Sequence, residues 1–327
     1  MSKPLIAVAA LSLAACLDPA EDGNLVPRTA DEDPSIPQLS FNGSTFHVEA
    51  FGDPSAPVIV VLHGGPGGDY RGLLRLRDPV NGVRLEDRYR VVFWDQRGSG
   101  LSERHAESQI SLVAYEQDLT TIIDRFSPGR PVVLLGHSWG GMYATRYISL
   151  HPERVAGAVL MEPGPLTGAL YDEIKSQMFN LDPIAEWLND YAWAQSIVSP
   201  DGHARADYLW GLASFGDIQP GFHASTTDRE PFWRHGAVAA AAINAEGIVD
   251  GEPVWDFTVG LDRFTTPVLF EASSDNTVIG VEFQEKQMPF YPHASLAVIA
   301  GAGHDFPWVR PAETLAPVFN YLNAIGF

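Results

Sequence analysis

Cysteine is almost absent. The chain of 327 residues has one, Cys16, so no internal disulfide can form. Positive charge is scarce as well: 21 Lys and Arg stand against 41 Asp and Glu, a formal net charge of −20. That deficit excludes nucleic acid and anionic membrane surfaces as partners. It names no substrate, because an acidic surface serves solubility first, and a cationic or neutral small molecule is tolerated. Internal repeats and low-complexity tracts are missing, which excludes solenoid and linker architectures. The apolar stretch Leu5–Ala15 is too short to span a bilayer. What remains is a chain with 45% hydrophobic residues, enough for one large domain or a core with a lid.

Residues 1–15 have a short basic start at Lys3 and an apolar core, the pattern of a secretory signal peptide. Leu13-Ala14-Ala15-Cys16 resembles the bacterial lipobox, in which cleavage falls before the cysteine and its sulfur is lipidated. The expectation is therefore a lipoprotein of the bacterial cell envelope, held by lipid on Cys16 and facing the periplasm. Leu17, where an Asp would resemble an inner-membrane retention signal, favours the outer membrane. Residues 16–38 are rich in Pro and acid and read as a flexible tether.

Beyond the tether, apolar runs alternate with helical periodicity. Val58–Leu62, Val91–Trp94, Pro131–Leu135, Val155–Leu160, Pro267–Glu271 and Ala294–Ile299 read as strands. Leu112–Phe126 has helical apolar spacing, and residues 311–325 form a closing helix. This alternation predicts an α/β fold with a mostly parallel central sheet. Residues 39–162 and 264–327 form the core. Residues 163–263 lack strong β runs and read as an inserted, mainly helical cap. Its dispersed aromatics, Trp187, Tyr191, Trp193, Tyr208, Trp210, Phe215, Phe222, Phe232 and Trp233, are expected to line an apolar pocket.

Chemistry concentrates in Gly136-His137-Ser138-Trp139-Gly140-Gly141, set between a strand and a helix. Strand, G-x-S-x-G, helix is the arrangement that lifts a serine hydroxyl off a sheet edge at a helix N-terminus. A serine needs an imidazole to take its proton and a carboxylate to orient that imidazole. In the chain order Ser, acid, His, the sequence offers Ser138, Asp275 and His304. His304 lies in a glycine-flanked loop after the last strand. Asp275 follows the strand before it. Glu271, Asp305 and Asp262 compete, but the first is within a strand, the second adjoins His304 and the third precedes the strand. His137 is expected to point away from Ser138. Two N–H donors must hold the oxyanion. Trp139 supplies one, and Gly65, or otherwise Gly64, supplies the other from His63-Gly64-Gly65-Pro66-Gly67-Gly68. Asp95 and Arg97 are expected to tie that loop to its neighbour. The chemistry calls for no metal and no organic cofactor.

Three stretches together, His63–Gly68, Asp95-Gln96-Arg97-Gly98-Ser99-Gly100 and Gly136–Gly141, resemble the proline iminopeptidases of the α/β-hydrolase superfamily. The resemblance covers roughly residues 40–160 and 265–327. It implies an α/β-hydrolase fold and a serine exopeptidase that removes N-terminal proline or another small apolar residue from short peptides. It places Ser138, Asp275 and His304 on the family's triad positions. Two positions depart from the family pattern: His137 stands for a glycine, and Ala272 for the glycine before the acid loop. Family members bind the substrate amine with cap carboxylates, for which Glu162, Asp172, Glu173, Glu186 and Glu230 are candidates. The other readings are a carboxylesterase or lactonase on the same triad, and a tethered binding protein with an inactive core. Oligomeric state is not legible in the sequence.

Overall fold

A computed structural model describes residues 26–178, 202–215, 221–222 and 230–327. The signal segment, Cys16, and the cap residues Glu186, Trp187, Tyr191 and Trp193 lie outside the described residues. Among the described residues ten strands form, β1 (Gln38–Phe41), β2 (Ser44–Phe51), β3 (Val58–Leu62), β4 (Arg90–Trp94), β5 (Val132–His137), β6 (Val155–Met161), β7 (Ile248–Val249), β8 (Glu252–Pro253), β9 (Val268–Ser273) and β10 (Ala294–Ile299). Eight α-helices are described: α1 (Leu112–Phe126), α2 (Trp139–Leu150), α3 (Gly168–Met178), α4 (Gly202–Phe215), α5 (Ala237–Glu246), α6 (Val281–Gln287), α7 (Phe306–Val309) and α8 (Pro311–Ala324).

The main sheet runs in the order β1-β2-β4-β3-β5-β6-β9-β10. The pairings β1–β2 and β2–β4 are antiparallel. From β4 to β10 every pairing is parallel. β3 and β5 are buried along their full lengths, as their unbroken apolar sequences require. Their alternate side chains serve two cores. Val58, Val60 and Leu62 pack with Tyr115, Leu119, Tyr143 and Ile148 of α1 and α2 on one face. Ile59 and Val61 pack with Leu315, Val318 and Leu322 of α8 on the other. Ser111 caps α1 by accepting the N–H of Ala114 at 3.1 Å.

The chain leaves the sheet after β6 and returns at β9. Between them lie α3, α4, α5 and the short β7–β8 hairpin. One of the links that fasten this insertion to the core centres on a buried carboxylate. Asp207 accepts from Arg104 and Arg234 at 2.8 Å each, and from the amide of Ala237 at 2.9 Å. The segment read as a tether is packed at its far end. Thr29 and Ala30 are buried, the Ala30 amide donates to Leu101 at 2.7 Å, and Arg234 donates to the Pro27 carbonyl at 2.8 Å. Polar composition hid this docking because its hydrogen bonds are made by backbone, to which composition is blind.

Candidate active site

Every parallel strand of the sheet ends on the same edge, and the candidate residues stand there. Ser138 has φ 55° and ψ −119° and is the N-cap of α2. A left-handed φ at a serine costs about 1–3 kcal/mol, and its neighbours enforce it. A Cβ on Gly136 would lie 2.3 Å from the Gly140 carbonyl oxygen, and one on Gly140 would lie 2.0 Å from the Leu62 oxygen. Both glycines are therefore required by backbone contact alone. The turn is held by the Ser138 amide donating to Met161 at 2.9 Å and by the Gly141 amide donating to Ser138 at 2.9 Å. Trp139 opens the helix, where N–H groups have no acceptor within it.

His304 follows β10. Its ring is mostly buried, and Nδ1 lies 2.7 Å from Glu162 Oε2. A carboxylate accepts, so Nδ1 carries the proton and Nε2 presents a lone pair. His304 is joined to the elbow through His137, the residue before Ser138. The His137 ring sits 4.5 Å from the His304 ring, inclined at 30°, and its Nε2 donates to the His304 carbonyl at 2.9 Å. His137 therefore does not point away from the site, as the sequence suggested, but packs beneath the candidate base. Among the described residues no hydrogen bond joins Ser138 to His304; contacts of this kind tighten when substrate binds.

The carboxylate on His304 is Glu162, not Asp275. Glu162 follows β6 with φ 42° and is fully buried. Its amide donates to Glu271 at 2.8 Å, which turns the side chain in beneath His304. Glu162 Oε1 accepts from the Ser273 amide at 2.6 Å and from the Ser273 hydroxyl, and Oε2 accepts from Asn276 Nδ2 at 2.8 Å as well as from His304. Asp275 is exposed, and its carboxylate accepts from the neighbouring Ser274 hydroxyl at 2.6 Å. The loop after β9 turns Asn276 inward and Asp275 outward, so it supports the acid instead of supplying it. Glu162 had been a candidate for binding a substrate amine; the structure employs it on His304.

The glycine-rich loop after β3 lies against the elbow. A Cβ on Gly64 would come within 3.2 Å of Ser138 Cβ, and Gly65 has φ 129°, open to glycine alone. Asp95 accepts from the Tyr70 amide at 3.1 Å, the Leu101 amide at 2.8 Å and His47 Nδ1 at 2.8 Å. Arg97 forks onto Asp118 with two bonds of 2.8 Å. Asp95 thus holds the chain just past the glycine-rich loop to its own loop, whereas Arg97 binds Asp118 of α1 and the Asn42 carbonyl and does not reach the glycine-rich loop. Gln96, between them, was overlooked. It is fully buried and bonds both to the glycine-rich loop and to Trp139. The only sequence signal for it was an amide held between two charged residues at a strand end.

The cap reaches the base directly. The His304 amide donates to the Phe222 carbonyl at 2.6 Å, and the Phe222 ring meets the imidazole edge-on at 5.5 Å. Trp233, expected in the pocket, instead packs against Tyr70 and His47. Two carboxyls, Glu230 and Asp69, have strongly raised pKa values. Desolvation, then the charges of Asp305 and Asp69, push the Glu230 carboxyl well above the usual range. Desolvation and the charge of Asp95 push Asp69 up to about 7, against the amides of Arg71, Arg234 and Trp233 that stabilise its anion. Among the described residues no group of His, Cys, Asp and Glu is arranged to hold a metal ion, and no helix is long and apolar enough to cross a membrane.

The family model of the α/β-hydrolase fold matches residues 57–311. Over 118 residues the chain is 34% identical to a proline iminopeptidase of Xylella fastidiosa, covering 35% of this chain and 34% of that one. Over 172 residues it is 32% identical to a probable proline iminopeptidase of Leptolyngbya boryana, covering 50% and 48%. The matched segments thus span about a third to a half of these relatives. A thermophilic esterase from Thermogutta terrifontis superposes with a TM-score of 0.62 at 21% identity, over 89% of this chain and 97% of that one. A proline iminopeptidase of Mycobacterium smegmatis superposes with a TM-score of 0.59 at 18% identity, over 88% and 97%. Both share the fold. With its nucleophile elbow, its parallel sheet and a family match across most of its length, the chain belongs to the α/β-hydrolase family.

Proposed function

We propose that the protein is a serine hydrolase that acts as an aminopeptidase, releasing N-terminal proline or another small apolar residue from short peptides. The observation that carries the hydrolase is the bond between His304 Nδ1 and the buried Glu162, in a histidine whose carbonyl is bonded to His137, the residue before the elbow serine. Ser138 Oγ attacks the carbonyl carbon while His304 Nε2 takes its proton. The imidazolium formed is stabilised by Glu162, whose other oxygen is already saturated with donors. The oxyanion faces the amides of Trp139 and Gly65. His304 returns the proton to the leaving amine, and a water repeats the sequence on the acyl-enzyme to free the acid.

The aminopeptidase reading draws on the likeness to proline iminopeptidases and on Glu230, a desolvated cap carboxyl under the charges of Asp305 and Asp69, as a partner for an α-ammonium group. The protein is further proposed to be lipidated on Cys16 and exposed to the periplasm, with the outer membrane favoured. The experiment compares L-proline 4-nitroanilide with 4-nitrophenyl acetate, using wild type and Ser138→Ala, with a fluorophosphonate probe alongside. Amide turnover and probe labelling, both lost in the variant, are expected. Ester turnover without amide turnover supports a carboxylesterase or lactonase instead. Failure of the folded wild type to label overturns the serine mechanism and favours a binding protein.

A further inference from the structure

The oxyanion donors proposed above come from two separate segments, the start of α2 and the loop after β3. Stabilising a tetrahedral intermediate requires that both aim at one point. Gln96 connects the two. Its Nε2 donates to the His63 carbonyl at 3.1 Å, and its Oε1 accepts from the indole Nε1 of Trp139 at 2.9 Å. A carbonyl only accepts and an indole N–H only donates, so the two partners fix which end of the amide is which. The backbone N–H of Gln96 donates to His63 Nε2 at 3.0 Å. That leaves the His63 proton on Nδ1, which donates to the Gly64 carbonyl at 2.8 Å. Burial lowers the His63 pKa and keeps the ring neutral, as this pattern requires.

These bonds settle where the loop amides point. The cis bond of the loop is Gly65-Pro66, and the two peptides before it are trans. In a trans peptide the C=O and the following N–H point in opposite directions. Gln96 holds the His63 carbonyl, so the Gly64 N–H is turned the other way. His63 holds the Gly64 carbonyl, so the Gly65 N–H is turned the other way too. Without these holds the loop is free to swing, because glycine imposes almost no backbone preference. We infer that Gln96 is a positioning residue that aligns the two halves of the oxyanion hole, acting through the His63 carbonyl and the Trp139 indole. The inference rests on the serine-hydrolase reading of Ser138.

Gln96→Met keeps the volume and removes both side-chain bonds. Gln96→Glu keeps the acceptor for Trp139 and removes the donor to His63. Trp139→Phe removes the indole N–H and keeps the backbone amide. Measured on 4-nitrophenyl acetate, Gln96→Met and Gln96→Glu are expected to lose about 10- to 1,000-fold in kcat, on the scale of a lost oxyanion donor, with KM changed less than threefold. The rate of fluorophosphonate labelling falls in parallel, since its phosphoryl oxygen takes the same place. Trp139→Phe loses less, and Gln96→Met with Trp139→Phe is no worse than Gln96→Met alone, because both act on one linkage. Should one variant fail to fold, the others carry the same test. Folded Gln96 variants with kcat and labelling within threefold of wild type overturn the inference. A lowered melting temperature with unchanged kcat does so too. If wild type labels and Ser138→Ala does not, that failure belongs to Gln96 alone. If wild type does not label, the hydrolase reading falls first and this inference with it.

Discussion

Glu271 sits on β9, level with Met161 of β6 and Ala297 of β10, and on the face that carries Leu269 toward Leu315 and Val318. It is fully buried, and neither carboxyl oxygen has a hydrogen-bond partner. Desolvation alone raises its pKa well above the ordinary value of 4.5. The folded protein therefore holds a proton that the unfolded chain releases above pH 4.5. The sign follows from linkage: where the folded state binds more protons, stability falls as pH rises. Below pH 4.5 the effect is absent. Above it, stability falls with each pH unit, at a limiting slope of about 1 kcal/mol per unit for one proton, for as long as the folded carboxyl keeps that proton. Glu271→Gln keeps the shape and cannot ionise. In urea titrations at pH 4.5, 5.5 and 6.5 the variant is expected to start near wild-type stability and to gain on it steadily as pH rises, at no more than about 1 kcal/mol per unit. The other titrating groups are common to both proteins and cancel. A difference that does not change with pH would refute the reasoning, because it would mean the carboxyl is solvated or paired in solution.

Three further outcomes are expected. Glu162→Gln should lower kcat on 4-nitrophenyl acetate by about 10³–10⁴, the scale found when an orienting carboxylate is made an amide, whereas Asp275→Asn should stay within a few-fold. The reverse result would restore Asp275 as the acid. Gly140→Ala should destabilise by about 3 kcal/mol or more in thermal unfolding, since its Cβ would meet the Leu62 carbonyl at 2.0 Å and backbone cannot yield there. Asp69, raised from 3.8 to about 7, also makes the fold lose stability as pH climbs through that window. In Asp69→Asn the stability–pH slope between pH 4 and 7 should flatten, read by denaturation at several pH values.

Much of this architecture was legible in the residues. Strands buried on both faces leave unbroken apolar runs, so β3, β5, β6 and β9 declared themselves. The elbow was legible because two glycines at fixed spacing around a serine answer to backbone collisions that nothing else satisfies. The acid was not. Glu162 and Asp275 both follow strands that end on one sheet edge, and which carboxylate turns inward depends on the φ of 42° at Glu162 and on the donors of Ser273 and Asn276. None of these has a local signature. The roles of His137 and Gln96 stayed hidden for a related reason: each joins segments distant in sequence. Of the cap aromatics, Phe222 lies against His304 while Trp233 packs on Tyr70, because an aromatic signals burial and not which cavity it faces.

Residues 221 and 222 of the cap are stitched to both loops that serve the imidazole. The Phe222 carbonyl takes the His304 amide, and the Gly221 carbonyl takes the amide of Thr277, next to Asn276. Lifting this stretch to admit a molecule would loosen the proton carrier at the same stroke, at about 1 kcal/mol for each bond released. Any movement of residues 221 and 222 is therefore passed at once to His304 and to the loop that carries Asn276.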